Sequence, residues 1–240
     1  MTWVPPNTKR IMQVVDVTWS AAEFIPCGPF TLRRGNDGGK RVSSASVEGA
    51  FSGENIRAVT KEMARIGQPE LFQISDTDEA LDDTLAKLGY KVIDRVTLFA
   101  VPVDLIADAG LSTLELEPTP EMTTLWAEGG IGAGRLDVMR RVTAPKTCLL
   151  ETLNSQPAAA AFVGCDGDTA MFHALEVHQA ARRNGLGQRL IRAMAAWAKS
   201  QGATTLTLVV LSENQAARGL YRSLGFIEVG NYHYRINNGL

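Results

Sequence analysis

Cysteine is scarce in this chain: Cys27, Cys148 and Cys165 are an odd number at unrelated spacings. That excludes a disulfide framework and offers no zinc-ligand spacing, so no metal is expected. Long apolar runs are missing too, and none reaches the ~18 residues that a membrane-spanning helix needs. The stretch 1–10 lacks the apolar centre of a signal peptide. Neither charge is in excess: 24 Lys and Arg against 26 Asp and Glu give a formal net charge of -2. A general nucleic-acid binder carries a basic surplus, so that class drops out. The expected compartment is a reducing cytoplasm, with no membrane and no nucleic acid as partner.

What is there suits a globular protein. Of 240 residues, 45% are hydrophobic, enough for two units of about 100–150 residues each. The clearest pattern lies near the end. Residues 169–177, TAMFHALEV, alternate loosely and predict a strand, and 178–187, HQAARRNGLG, are polar, basic and glycine-bearing, a loop. From Leu186 onward, Leu190, Ile191, Met194, Trp197 and Ala198 recur every three or four positions. That spacing marks a helix with one buried stripe, stopped at Gly202. Residues 204–211, TTLTLVVL, predict a buried strand. Ser212 and Gln215 fit a capping box that opens a helix to about Ser223, and 226–236 supply one or two short strands. Upstream, 113–117 predicts a strand, 120–128 and 136–142 predict helices, and 148–153 with 158–164 a hairpin.

The first half repeats this order. A strand is expected at 41–47, a helix at 54–66, a strand at 70–75, a helix at 81–88 and a strand at 96–103. Its last helix closes on Leu88-Gly89-Tyr90, as the second half closes on Leu224-Gly225-Phe226, and the match predicts an internal duplication. The stretch Gly35-Asn36-Asp37-Gly38-Gly39-Lys40 is expected to be a hairpin turn, because no helix opens after it.

Chemistry concentrates in Arg182-Arg183-Asn184-Gly185-Leu186-Gly187, between a strand and a helix. Unpaired N–H groups at a helix start favour an anion, glycines let a phosphate approach the backbone, and the arginines add charge. The pattern points to a pyrophosphate cradle. A Rossmann loop needs a third glycine and a later acidic residue, and here the following strand ends in Val209 and Val210.

These residues carry a resemblance. LEVHQAARRNGLGQRL followed by LTLVVLSENQAARGLYRSLGF is similar to the GNAT superfamily of acetyl-CoA-dependent N-acyltransferases. Arg182, Gly185 and Gly187 meet its [RQ]-x-x-G-x-[GA] motif, and Asn214 and Tyr221 meet its helix-start Asn with a Tyr seven residues later. The likeness is specific over about 60 residues and rests on element order over 110–170. It implies that Arg182 and the backbone of Arg183, Asn184, Gly185, Leu186, Gly187 and Gln188 bind the pyrophosphate of acetyl-CoA. It also implies a splay after the strand ending near Val177, where the pantetheine arm lies beside Leu175 and Val177 like an added strand. A backbone N–H near Val177 would then stabilise the oxyanion, Asn214 would hold the arm, and Tyr221 would protonate the departing thiolate. Seven residues is close to two helical turns, so Asn214 and Tyr221 share a face.

The attacking amine must lose a proton, since an alkyl ammonium has a pKa of ~10.4. His173 and Glu176 stand near, and strict alternation puts His173 on the face of Met171, Leu175 and Val177, with Glu176 opposite. His173 is the better-tuned base; a satisfied strand histidine and a water relay are the alternatives.

The expected fold is α/β (α+β), with two GNAT-like domains at 1–107 and 108–240, each a mixed, mostly antiparallel central sheet flanked by helices. The first is expected to be degenerate, with Glu48-Gly49-Ala50-Phe51-Ser52-Gly53 at the place of the cradle and no tyrosine matching Tyr221. It is expected to pack on the second and wall its acceptor site. The expected reaction is acetyl transfer from acetyl-CoA to a primary amine, on a small molecule or a peptide, by direct attack in a ternary complex. The alternative is a non-catalytic acyl-CoA-binding regulatory module, which would have no use for a phenolic donor.

Overall fold

Helices form where apolar residues recur at helical spacing and a polar side chain can close the first turn. In the computed structural model, which describes residues 3–108, 110 and 112–237, the first half begins with α1 (Thr8–Thr18), capped by Asn7, whose side chain accepts from Arg10 N. A hairpin of β1 (Glu23–Cys27) and β2 (Phe30–Arg34) follows, then β3 (Ala45–Val47), α2 (Gly53–Arg65), β4 (Glu70–Ser75), α3 (Glu79–Lys87), β5 (Lys91–Pro102) and the single turn α4 (Val103–Ile106). The second half runs β6 (Thr113–Glu115), α5 (Pro120–Glu128), α6 (Ala133–Arg141), β7 (Lys146–Leu153), β8 (Gln156–Asp166) and β9 (Thr169–Val177). It ends with α7 (Leu186–Ser200), β10 (Thr205–Leu211), α8 (Gln215–Ser223) and β11 (Ile227–Asn237).

Three expectations are corrected. The strand expected over 41–47 is only β3, because Val42 N bonds to Gly39 O and Ser43 N to Lys40 O, winding Lys40–Val42 into a 3-10 turn. The Ser212–Gln215 capping box does not form. Ser212 Oγ lies 2.8 Å from Thr97 Oγ1, and Asn214 caps α8 instead, accepting from Ala217 N at 3.1 Å. The tail, expected as one or two short strands, is a single strand of 11 residues, because β11 has a partner along each edge.

The eleven strands make one sheet in the order β1-β2-β3-β4-β11-β5-β10-β9-β8-β7-β6. Among the described residues, only β3 with β4 and β9 with β10 pair in parallel; the other neighbours are antiparallel. From the central β11–β5 pair outward, each side repeats the other: β4, β3, β2, β1 against β10, β9, β8, β7. The closing strands are exchanged. β5 of the first half runs along β10, with Thr205↔Pro102 through Leu211↔Val96, and β11 of the second half runs along β4, with Tyr232↔Ser75 through Asn237↔Glu70. The α/β architecture with a mostly antiparallel sheet and flanking helices is as expected; the halves share that sheet and do not each close their own.

Two apolar layers sandwich the second half. On one face α7 buries Leu190, Ile191 and Met194 against Phe172, Leu206, Leu208 and Phe226. On the other, α5 and α6 bury Trp126 and Met139 against Phe162, joined by Trp19 from the end of α1. The first half has its own layer under α2 and α3, around Phe30, Phe72 and Leu85.

Candidate active site

Strands β9 and β10 diverge early. Their parallel pairing covers only Thr205↔Thr169, Leu206↔Ala170 and Thr207↔Met171, so the later residues of both strands are unpaired with each other. On β9, Ala174 has a φ of 52° and the register against β8 shifts between Phe162↔His173 and Ala160↔Glu176, a bulge of one extra residue. The bulge breaks the expected alternation. His173 packs beside Trp19 and Phe162, whereas Leu175 and Val177 turn to the opposite layer, which holds Phe172 and Tyr221. Beyond the bulge, His178 N bonds to Ala158 O at 2.8 Å. Period-two alternation therefore aims the N–H groups of Leu175 and Val177 away from β8, into the splay.

At the mouth of the splay, Arg182 Nε donates to Val177 O at 3.2 Å and Nη2 reaches Glu176 Oε1 at 3.4 Å. The chain then turns through Arg183 (φ 68°) and Gly185 (φ 74°) into α7. Gly185 is the N-cap, a left-handed position at which a side chain is strained. Having none, it offers no capping oxygen. The first-turn N–H groups of Leu186, Gly187 and Gln188 precede any intrahelical acceptor, and that turn has no acidic residue. Asn184 spends its amide on Ala181 O and Arg182 O. A Cβ at Gly187 would meet only Leu220 Cδ2 at 3.6 Å and Val177 Cγ2 at 3.8 Å. The structure thus brings together the end of β9, the basic turn and a bare helix start.

Across the splay, Asn214 opens α8 and Tyr221 lies on that helix, packed by Phe99, Phe172 and Phe226 with ring centroids at 5.9 Å in each case. Burial pushes the phenol up to about 12. Its hydroxyl has no hydrogen-bond partner among the described residues. Asn214 Oδ1 serves the helix cap, so its amide hydrogens are the part left for a ligand.

The model of the acetyltransferase (GNAT) family matches residues 120–226, the span that contains this site. Residues 120–226 belong to the GNAT acetyltransferase family. The chain is an acyltransferase enzyme on that ground. It is similar to the uncharacterised N-acetyltransferase YobR of Bacillus subtilis, 25% identical over 249 residues that cover 96% of this chain and 98% of that protein. The fold as a whole is similar to that of a GCN5-related N-acetyltransferase from Kribbella flavida, at a TM-score of 0.71 and 17% identity, covering 96% of this chain and 95% of that one. It is also similar to a tandem GNAT protein from the clavulanic acid biosynthesis pathway, at a TM-score of 0.62 and 14% identity, covering 98% of this chain and 89% of that one.

His173 is not placed as a free base. Arg41 Nη1 donates to its Nδ1 at 3.2 Å, which puts the ring hydrogen on Nε2, 2.9 Å from Thr18 Oγ1. Thr18 in turn donates to Val14 O at 2.7 Å. Burial first, and then the Arg41 guanidinium, hold the imidazole well below its ordinary value. An amine proton would have to displace Arg41 and put a second positive charge beside it. That is an electrostatic obstacle to the expected role. Glu176, the other carrier considered, is engaged by Arg182.

His173 instead lines a cavity of ≈ 260 Å³ on the face opposite α7, beside β9 and β10 where they part. The second half contributes Ile131, Arg135, Ala174 and Val209 through Leu211, and its exchanged strand adds Tyr232 and Tyr234. The first half contributes the rest of the wall: Trp19, Gly38 through Arg41, Asp94 and Val96. None of those was legible as a site residue. The strand exchange brings Asp94 and Val96 there, and the turn at 35–40, expected to be only a hairpin, delivers Lys40 and Arg41. Among the described residues no group of three His, Cys, Asp or Glu side chains could hold a metal, and no helix is long and apolar enough to cross a membrane.

Proposed function

We propose that this chain is an N-acetyltransferase that moves an acetyl group from acetyl-CoA to a primary amine by direct attack, with both substrates bound at once. The observation that carries this reading is the bare start of α7: four residues from Gly185 to Gln188 present backbone N–H groups with no side-chain cap, next to Arg182 and Arg183. In such a place a diphosphate meets aligned dipoles and two guanidiniums.

From there the splay leads to the reacting centre. Leu175 and Val177 offer the pantetheine arm a strand edge, with Asn214 donating from across the gap. A backbone N–H at the end of β9 faces the carbonyl oxygen of the thioester and stabilises the charge that gathers there as the amine attacks. Tyr221 stands on the leaving side. A phenol at about 12 stays protonated at neutral pH, so it stabilises the departing sulfur as a hydrogen-bond donor. Giving up its proton to a thiolate, with an ordinary value of ~8.5, is uphill. The net proton comes from the amine: the C–N bond forms, the C–S bond breaks, and the acidified ammonium releases its proton to water or to the thiolate. His173, neutral and bonded on both nitrogens, holds the wall of the acceptor cavity.

The test is the release of free thiol from acetyl-CoA across a panel of primary amines. Amine-dependent release with formation of the matching acetamide is the expected result. Tight acetyl-CoA binding without turnover on any amine would reject the reading and leave a binding module.

A further inference from the structure

The acceptor cavity contains an imbalance of charge. Among its lining residues, three are cationic, Lys40, Arg41 and Arg135, and one is a carboxylate, Asp94. Asp94 Oδ2 is already held by Lys40 Nζ at 2.7 Å. Arg41 uses one N–H on His173, and its Nε is enclosed without a hydrogen-bond partner among the described residues. The guanidinium carbon lies 6.0 Å from the Trp19 ring centroid, a contact that supplies no counter-charge. Arg135 has no ion pair among the described residues, and its Nε lies 3.6 Å from where a Cβ on Gly39 would stand, next to the same turn. Elsewhere Arg33, Arg218 and Arg235 each meet a carboxylate at 2.6–3.0 Å, whereas Arg141, outside this cavity, shares with Arg41 an enclosed guanidinium nitrogen without a hydrogen-bond partner among the described residues. A partly buried arginine without an acceptor is costly unless a ligand completes it.

We infer that the acceptor is a small amine that also carries a carboxylate, an amino acid in the broad sense, and that Arg41 with Arg135 binds this carboxylate. The inference rests on the acetyltransferase reading above and narrows its substrate. The same two cations would act on the other end of the acceptor. Positive charge nearby disfavours an ammonium and so favours the neutral amine that attacks. A polyamine brings only like charge into the cavity and is excluded on the same ground. A volume of ≈ 260 Å³ suits a small molecule and not a folded partner.

The experiment uses the full chain with acetyl-CoA bound and matched pairs: amino acids of graded side-chain size, each against its own carboxamide. Binding is measured by calorimetry and turnover by thiol release. The carboxylated member of at least one pair is expected to bind and react about 10- to 100-fold better than its amide, the range of a charged hydrogen-bonded contact. Arg41→Gln is expected to shrink that preference to within about threefold, a ratio that a purely structural defect would leave in place. Should Arg41→Gln fail to fold for want of the His173 contact, Arg135→Gln on the exposed side of α6 reads the same ratio and is expected to reduce it. Equal binding of acid and amide, preference for the amide, binding of no carboxylated member, or a preference untouched by the arginine variants would overturn the inference. If acetyl-CoA binds and amines without a carboxylate turn over equally well, only this inference falls. If acetyl-CoA does not bind at all, the acetyltransferase reading falls with it.

Discussion

The two halves open a helix at the same place in their strand order, and the two openings are built in opposite ways. At α2, Ser52 Oγ accepts from Asn55 N at 3.3 Å and Asn55 Oδ1 accepts from Ser52 N at 2.9 Å. Glu54 stands in that first turn. At α7 the cap is a glycine with no side chain, the first turn has no acid, and two arginines precede it. Aligned on their first helical residues, Gly53 and Leu186, the place of Arg182 is taken by Gly49 and that of Gly187 by Glu54. That is one position off the correspondence of Glu48 with Arg182 expected from the sequence. The closing helices differ likewise: counted seven from their N-caps, Asp78 and Asn214, one carries the buried Leu85 and the other Tyr221. A helix start that satisfies itself has nothing left for an anion, whereas a bare one is a site. On the proposed function, the first half serves as wall and the second as machinery.

The sharpest way to break this contrast is to give α7 what α2 has. Gly187→Glu puts a carboxylate at the place of Glu54. It is expected to weaken acetyl-CoA binding by about 100-fold or more, because like charge replaces open backbone. Its neighbours at 3.6 and 3.8 Å are ordinary contacts, and an acid in the first turn suits the helix dipole. The melting temperature should therefore hold or rise while binding is lost. Calorimetry and thermal melting on the same sample separate the two signs.

Second in size is Tyr221→Phe. Removing the hydroxyl alone is expected to lower kcat by about 10- to 100-fold, with the dissociation constant of acetyl-CoA within about twofold. Steady-state kinetics beside calorimetry checks it, and an unchanged kcat would take Tyr221 out of the reaction.

His173 sharpens the account of the cavity wall. Its folded value lies below the unfolded one of ~6.5, so the unfolded chain takes up a proton that the folded chain refuses as pH falls through that value. Stability contributed above pH ~6.5 is lost below it, by up to ~1.4 kcal/mol per pH unit. Denaturant melts between pH 7 and 5 should show this slope in the native protein and a flatter one in His173→Gln. Smallest is Ser52→Ala. It should cost ~1 kcal/mol of stability at α2 and leave acetyl-CoA binding as it was, since that helix start holds only itself.

Local features were legible and long-range ones were not. The stripe of Leu190, Ile191 and Met194, the basic turn at 182–187 and the pair Asn214 and Tyr221 lie within short windows, where spacing fixes who shares a face. The exchange of β5 and β11 left no such trace, because each strand is equally apolar beside either neighbour. The bulge at Ala174 had no signal either, since alanine does not announce a positive φ, and that one residue moved Leu175 and Val177 off the face of His173. Lys40 and Arg41 lay in a turn whose glycines explained it fully until the other half of the molecule was placed against it.

Calorimetric titration of acetyl-CoA into the full chain tests the central contrast most directly. One molecule bound per chain, abolished by Gly187→Glu and untouched by Ser52→Ala, is the predicted result. Two molecules per chain, or binding that survives a carboxylate at position 187, would contradict it.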